Sequence, residues 1–459
     1  MVARVNSVDM THGSLWNKIL KFSLLFMLTA IIQQLYNAAD TVVVGRYAGE
    51  NALAGVGTCG SLITLFINFI LGFSAGVTIV LGQAIGEKSG QIEKVTHTAF
   101  AIALCGGFII SAICLTFTKG LLTLTGVPEN IMPEASSYLS IRAIGFIPCL
   151  IYNFGAGILR AKGDTKRPLY IITISGIINV GLNLLFVCVF KMAAGGVALA
   201  TVISQFYTAI VILYILTHEV DATKISLNKI RFYKEPFLKI LRYGLPSGVQ
   251  SSVYSVSNIL VQSSINSFGA TAIAGSAAVA SITNFYDVMN SSLYQASVVF
   301  TSQNYGAKNF DRIKRTLFIC VGYVLAVELI QSSITFFLGE TLVGLYAPNN
   351  PAVIEMAMRK FKVVGYFYGI LALMNVMSGA LRGMGASFIN MVTSIIGVCG
   401  IRIMWIMTAF KAIGTFESLY VCYPLSWIGT TCLHIIMFLF VFKKLKNKHL
   451  ANSASTLEV

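Results

Sequence analysis

The chain reads as a series of long apolar runs divided by short charged or glycine-containing turns. A helix needs roughly 20 mostly apolar residues to cross a bilayer. Twelve runs reach that length: 22–45, 52–81, 95–118, 138–159, 168–190, 193–217, 243–267, 271–301, 316–338, 361–381, 387–410 and 418–442. The predicted fold class is an all-α integral membrane protein with twelve transmembrane helices.

The pattern also repeats along the chain. Gln83, Gly86 and Lys88 of GQAIGEK stand 220 residues before Gln303, Gly306 and Lys308 of SQNYGAK, and ALAG (Ala52 to Gly55) precedes AIAG (Ala272 to Gly275) by the same offset. GILRAKG (Gly157 to Gly163) precedes GALRGMG (Gly379 to Gly385) by 222 residues, and ILKF at Ile19 matches ILRY at Ile240. Six spans duplicated in one orientation give two pseudo-symmetric six-helix lobes. The expected organisation is a cytoplasmic tail (1–18), an N-lobe (19–217), a basic linker (218–242), a C-lobe (243–442) and a second cytoplasmic tail (443–459). Two such bundles make a cleft, and transporters built on repeats bind near the midplane and rock between inward and outward states.

Composition agrees with the pattern. Only 11% of the 459 residues are charged and 56% are hydrophobic, against about 25% charged in a soluble protein. Mean hydropathy is +0.77, and 40 glycines supply the small residues that let membrane helices pack closely. Most of the 33 lysines and arginines fall on one side if the N-terminus is cytoplasmic, led by Lys224 to Arg242 and Lys443 to His449. The expected location is the cytoplasmic membrane, multi-pass, with both termini inside. Basic loops facing an anionic leaflet account for the net charge of +15 without a nucleic-acid partner. The nine cysteines form no CxxC pair, and of five histidines only His434 lies well inside a span, His97 standing at the edge of the run 95–118. Neither a zinc site nor an enzyme is expected, and no cofactor is called for.

Against this apolar background Asp40 is anomalous, because no other charge occurs from Phe22 to Gly45. Its repeat counterpart is Leu260 or Val261, so packing symmetry does not require a carboxylate. A charge at membrane depth costs about 2.5 to 3.5 kcal/mol on insertion scales. An interfacial Asp reaching the outer surface is the bland alternative, but Gly45 is only ~7.5 Å of helix away and Asp has a short stem. Possible companions in the same lobe are Asn179 and Asn183, spaced i, i+4 on the fifth span, and Thr201 early in the sixth. Such residues serve either as interhelical hydrogen-bond glue or, beside a carboxylate, as hard oxygen ligands for a small cation.

Together, ADTVVVGRYAGENALAGVG ending the first span, GQAIGEK after the second and GILRAKGDTKRP after the fourth resemble the multidrug and toxic-compound extrusion (MATE) transporters over nearly the whole length. The resemblance implies a secondary antiporter that exports small organic, often cationic, compounds in exchange for protons or sodium ions. A monomer in the lipid bilayer is expected to suffice. One branch of the family carries its cation site in the N-terminal lobe. By position its residues resemble Asp40, Asn179, Asn183 and Thr201, with Asp40 the sodium ligand where sodium is the ion. Three features depart from the family pattern. Asn183 stands where many members have Asp, Leu25 where many have a proline, and the seventh span contains no acid. A site with two carboxylates has become a site with one.

The C-lobe carries Asp287, Glu328 and Arg402 inside spans, opposite Ile67, Phe108 and Val180 in the repeat. They read either as a buried ion pair joining helices or as a second ion-coupled or substrate site. Tyr36, Phe154, Tyr254, Phe285, Met289 and Met374 are candidates for soft, adaptable cleft walls. The main rival, a flippase for lipid-linked oligosaccharide or cell-wall precursors, requires a strongly basic cleft, and only Arg402 falls plainly inside a span.

Overall fold

The computed structural model describes residues 8–43, 47, 50–348 and 350–455. Residues 1–7 of the expected N-terminal tail, the turn at Gly45 and the last four residues of the C-terminal tail lie outside the described residues. Eighteen α-helices follow one another, and no strand occurs among the described residues. In order they are α1 (Leu15–Val43), α2 (Glu50–Gly86), α3 (Ile92–Thr116), α4 (Thr118–Leu124), α5 (Met132–Ile144), α6 (Phe146–Ala161), α7 (Lys166–Asn183), α8 (Ala193–Thr217) and α9 (Lys234–Asn266). Then come α10 (Ala270–Gly306), α11 (Phe310–Tyr346), α12 (Pro351–Val364), α13 (Tyr368–Gly383), α14 (Ser387–Ser394), α15 (Ile401–Trp405), α16 (Lys411–Ile413), α17 (Phe416–Tyr420) and α18 (Cys422–Ser455).

Nine described segments are long and apolar enough to cross a membrane alone, and ten if α5 and α6 count as one. The remaining two of the twelve spans are α9 and α10, which have the length but carry many Ser, Gln, Asn and Thr side chains. Several of these are buried, including Gln250, Asn290, Ser297 and Gln303, so polarity inside the bundle replaces apolar surface facing lipid. The fourth span, predicted as one rod over 138–159, is instead two helices bent by 41° at Gly145. Pro148 explains the break, because its ring removes the N–H that would bond to Ile144. The last helix also outruns the predicted span, continuing to Ser455.

The helices form two compact units, one centred on Leu28–Gly248 and the other on Val249–Val459 with Met10–Met27. These limits differ from the lobe boundaries predicted at 217 and 243. The start of α9 belongs with the first unit, because backbone meets backbone there. A Cβ on Gly76 of α2 would stand 2.6 Å from the Cα of Gly244, and one on Gly72 would stand 2.4 Å from the Ser247 carbonyl oxygen. Only glycine permits that approach. The first half of α1 belongs with the second unit, where Leu15, Ile19 and Phe22 pack with Leu293, Val299 and Phe300.

Both copies of the repeated LRxxG turn use a left-handed glycine, Gly163 at φ +84° and Gly385 at φ +82°. Around the first copy an ion cluster closes the expected cytoplasmic end of the first unit. Buried Lys162 lies 2.9 Å from Glu219 and 2.5 Å from Asp221, while Arg167 pairs with both Asp164 and Glu219. Burial alone would raise the Asp221 pKa, but hydrogen bonds from Lys162 and Thr223 outweigh it and hold the carboxyl below its usual range.

Candidate ion-coupling site

Helix α7 brings Asn179 and Asn183 one turn apart on a single face, and both side chains are buried. Immediately after Asn183 the helix widens into a π-helical turn over Leu184–Val189. Such turns interrupt the regular backbone ladder and recur at functional positions. Asp40, near the end of α1, is half-buried and meets this face. The Asn183 amide donates from Nδ2 to Asp40 Oδ1, and also lies 3.3 Å from Asn179 Oδ1.

The arrangement leaves one oxygen over. Asn183 Oδ1 is buried and accepts no hydrogen bond, an omission that ordinarily costs about 1–3 kcal/mol. A carboxylate, the Asn179 amide oxygen that accepts from Asn183 and the orphaned one at Asn183 are hard donors of the kind that small cations take. Among the described residues no cluster of three or more His, Cys, Asp or Glu is present to hold a metal. The Thr201 hydroxyl donates to Val197 O of its own helix at 2.9 Å and keeps its oxygen lone pairs as acceptors.

In the second unit the three predicted charges do not form an ion pair among the described residues. Arg402 is 5% exposed and donates to Asn258 Oδ1 at 2.9 Å and Ser426 Oγ at 3.1 Å, with its guanidinium 4.3 Å from the Tyr423 ring centre. Asp287 is exposed, with Tyr368 and Tyr423 in electrostatic reach. Glu328 accepts from Ser332 Oγ at 3.0 Å and lies over Gly369, where any Cβ would sit 2.7 Å from its Cγ. The three charges are held apart, with neutral amide, hydroxyl and ring groups satisfying Arg402.

The MatE family model matches residues 26–185 and 246–408, taking in most of both repeats. The chain belongs to the MatE family. It is 26% identical over 443 residues to the "Probable multidrug resistance protein YoeA" of Bacillus subtilis, covering 94% of this chain and 95% of that relative. It is 22% identical over 424 residues to the "Probable multidrug resistance protein NorM" of Thermotoga maritima, covering 90% and 88%. A solved outward-facing MATE multidrug resistance transporter superposes with TM-score 0.87 at 21% identity over 96% of this chain and 99% of that one. The twelve-helix, two-lobed fold is that of the family.

In this MatE chain the cleft-wall candidates separate into two groups. Tyr36 is half-buried beside Asp40, Tyr254 accepts from Gln250 at 3.1 Å, Met289 receives the Gln331 amide at 3.6 Å, and Phe285 is exposed. Phe154 and Met374 are instead core residues, 0% and 2% exposed, with Phe154 edge-on to Phe73 at 5.4 Å. An apolar face that packs against a neighbour and one that lines a cavity have the same sequence signature.

The sequence pattern missed Arg142 outright. This residue of α5 is 8% exposed, so Arg402 is not alone inside a span, and the basic side chain acts electrostatically on Asp40. Its setting among Leu139, Ile141, Ala143 and Ile144, just before a Gly and a Pro, was the available signal. A second omission is a chain of polar groups in the other unit. It runs from Arg382 Nη2 to Gln250 Oε1 at 2.8 Å, from Gln250 Nε2 to Ser394 Oγ at 2.8 Å, and from there to His434 Nε2 at 3.0 Å.

Proposed function

We propose that this MatE chain is a secondary antiporter that exports small organic compounds across the cytoplasmic membrane by alternating access, in exchange for protons or sodium ions, with Asp40 as the coupling residue. The observation that carries this reading is the lone Asp40 carboxylate beside the buried, unpartnered Asn183 carbonyl oxygen. A proton on Asp40, or a sodium ion shared by Asp40, Asn179 and Asn183, neutralises the carboxylate and redirects the Asn183 amide. Either change alters the contacts of α1 with α7, so the ion has the differential affinity between two states that coupling requires. The family's named multidrug resistance relatives support organic compounds as cargo.

With a single carboxylate, one ion per cycle is the coupling ratio. Each elementary charge moved across 100 mV contributes about 2.3 kcal/mol, which supports modest accumulation. The chain works as a monomer, with both termini cytoplasmic. The test is efflux of a cationic dye from proteoliposomes under an imposed pH or sodium gradient, comparing the natural chain with Asp40→Asn at matched protein levels. Gradient-driven efflux that the substitution abolishes supports the reading. Normal transport by Asp40→Asn overturns it, and binding of lipid-linked sugars without any gradient-driven efflux favours a flippase.

A further inference from the structure

Arg142 stands in the last turn of α5, just before the bend at Gly145. Its Nε and Nη1 are buried and have no hydrogen-bond partner. A guanidinium cannot shed its proton to escape such a position, and an unpaired buried charge costs several kcal/mol. The titratable groups that share electrostatic contact with it are Asp40 and Tyr36 on α1, Tyr138 on α5 itself and Cys149 on α6. Asp40 is the only carboxylate among them, and its Oδ1 is already engaged by the Asn183 amide.

One lobe therefore holds a carboxylate and a guanidinium close enough to influence each other, with the donors Nε and Nη1 left unspent. For a simple organic cation this is a poor site, because the charge on Arg142 opposes its approach to Asp40. For a molecule that carries both an amine and a carboxylate the two residues are complementary. Arg supplies charge-assisted N–H donors for a carboxylate, while Asp40 receives the cationic end.

We propose that Arg142 is a substrate-binding residue that anchors the carboxylate of a zwitterionic organic substrate whose cationic group faces Asp40. This inference rests on the antiporter reading for the role of Asp40, and it narrows the cargo to amphiphiles bearing opposite charges on an apolar frame. The coupling ion then displaces only the cationic end. Tyr36 and Tyr138 supply aromatic surface beside the two charges.

The test is equilibrium binding to the purified full chain in lipid nanodiscs, without any gradient, using two dyes that share one ring system. Rhodamine 110 carries a free carboxylate and a cationic ring, and rhodamine 123 is its methyl ester. The natural chain should bind rhodamine 110 about ten-fold more tightly, the worth of one charge-assisted hydrogen bond. Arg142→Gln should erase that preference by weakening rhodamine 110 while leaving rhodamine 123 unchanged or tighter. Arg142→Lys, which keeps the charge, should retain part of it.

Equal affinity for the two dyes in the natural chain overturns the proposal. So does an equal loss of both dyes in Arg142→Gln, the signature of a purely structural counter-ion, and so does failure of the folded chain to bind either dye. Because no gradient enters this measurement, a failed anchor is distinguishable from a failed coupling site. Loss of coupling by Asp40 would appear in efflux and in the ion dependence of binding, neither of which enters this comparison of two dyes at fixed pH and sodium.

Discussion

The two lobes share a frame and differ in their charges. In both, an arginine and a left-handed glycine form the turn that follows the fourth span of the repeat, Arg160 with Gly163 and Arg382 with Gly385. In both, a π-helical turn interrupts the fifth span at matching places, Leu184–Val189 and Ile406–Phe410. Yet Asp40 faces Leu260 or Val261 across the repeat, Arg142 faces Val364, and Lys162 faces Met384. What the duplication preserved is backbone geometry and close packing.

The settings of the charges differ as well. In the N-lobe, Arg142 has two buried N–H groups without partners and acts electrostatically on Asp40. In the C-lobe, Arg402 has neutral partners on two sides and a ring beneath it, while Asp287 has no ion-pair partner among the described residues. The N-lobe pair is poised to exchange partners, and the C-lobe arginine is held by groups that do not titrate near neutral pH.

The largest effect expected from breaking this contrast is on transport. Asp40→Asn should reduce gradient-driven efflux to background while Asp287→Asn retains a substantial fraction, measured side by side in proteoliposomes. Next comes the ion cluster around Lys162, which among the described residues has no counterpart in the C-lobe. Lys162→Met, which copies the C-lobe residue, leaves Glu219 and Asp221 without their shared cation and should cost about 3 kcal/mol, read as a lowered unfolding midpoint. The equivalent Met384→Lys is expected to destabilise too, because no acid awaits it. The Asp221 carboxyl is held below its ordinary value. Its contribution is therefore fully present above the usual Asp range near ~3.9 and disappears only as the pH falls through the folded-state value.

A double-substitution cycle on Arg402 and Asp287 addresses the second lobe. Arg402→Met should destabilise by about 2 kcal/mol through lost hydrogen bonds and ring contact. The coupling energy with Asp287→Asn should stay below about 1 kcal/mol, because the two charges meet only through Tyr423. A coupling of several kcal/mol would favour the ion-pair reading. The smallest effect belongs to Thr201→Val, which should change ion-driven efflux by less than about two-fold, because that hydroxyl donates within its own helix and not to Asp40, Asn179 or Asn183.

Much of the fold was legible because membrane helices announce themselves by length and apolarity. Run length identified α9 and α10 as spans even though their serines and glutamines depress hydropathy below that of a typical crossing helix. The bend at Gly145 was harder to see, since Pro148 lies inside an otherwise continuous apolar run. In the site, Asp40, Asn179 and Asn183 were legible from isolation and i, i+4 spacing. Thr201 was not excluded by sequence, since whether a hydroxyl bonds backward to its own helix depends on rotamer and neighbours. Arg142 escaped because a basic residue near a predicted helix end reads as a loop residue on the outer side. Only the kink after it shows that the fourth span extends further, with Arg142 inside.

The central claim is that the ion and the organic substrate exclude one another at Asp40. Its most direct measurement is dye affinity for the purified chain in nanodiscs as a function of pH and of sodium concentration, for the natural chain and for Asp40→Asn. The account predicts that lowering the pH or adding sodium weakens dye binding by the natural chain, and that Asp40→Asn gives a flat response to both. An Asp40→Asn chain that keeps the natural ion dependence would contradict it.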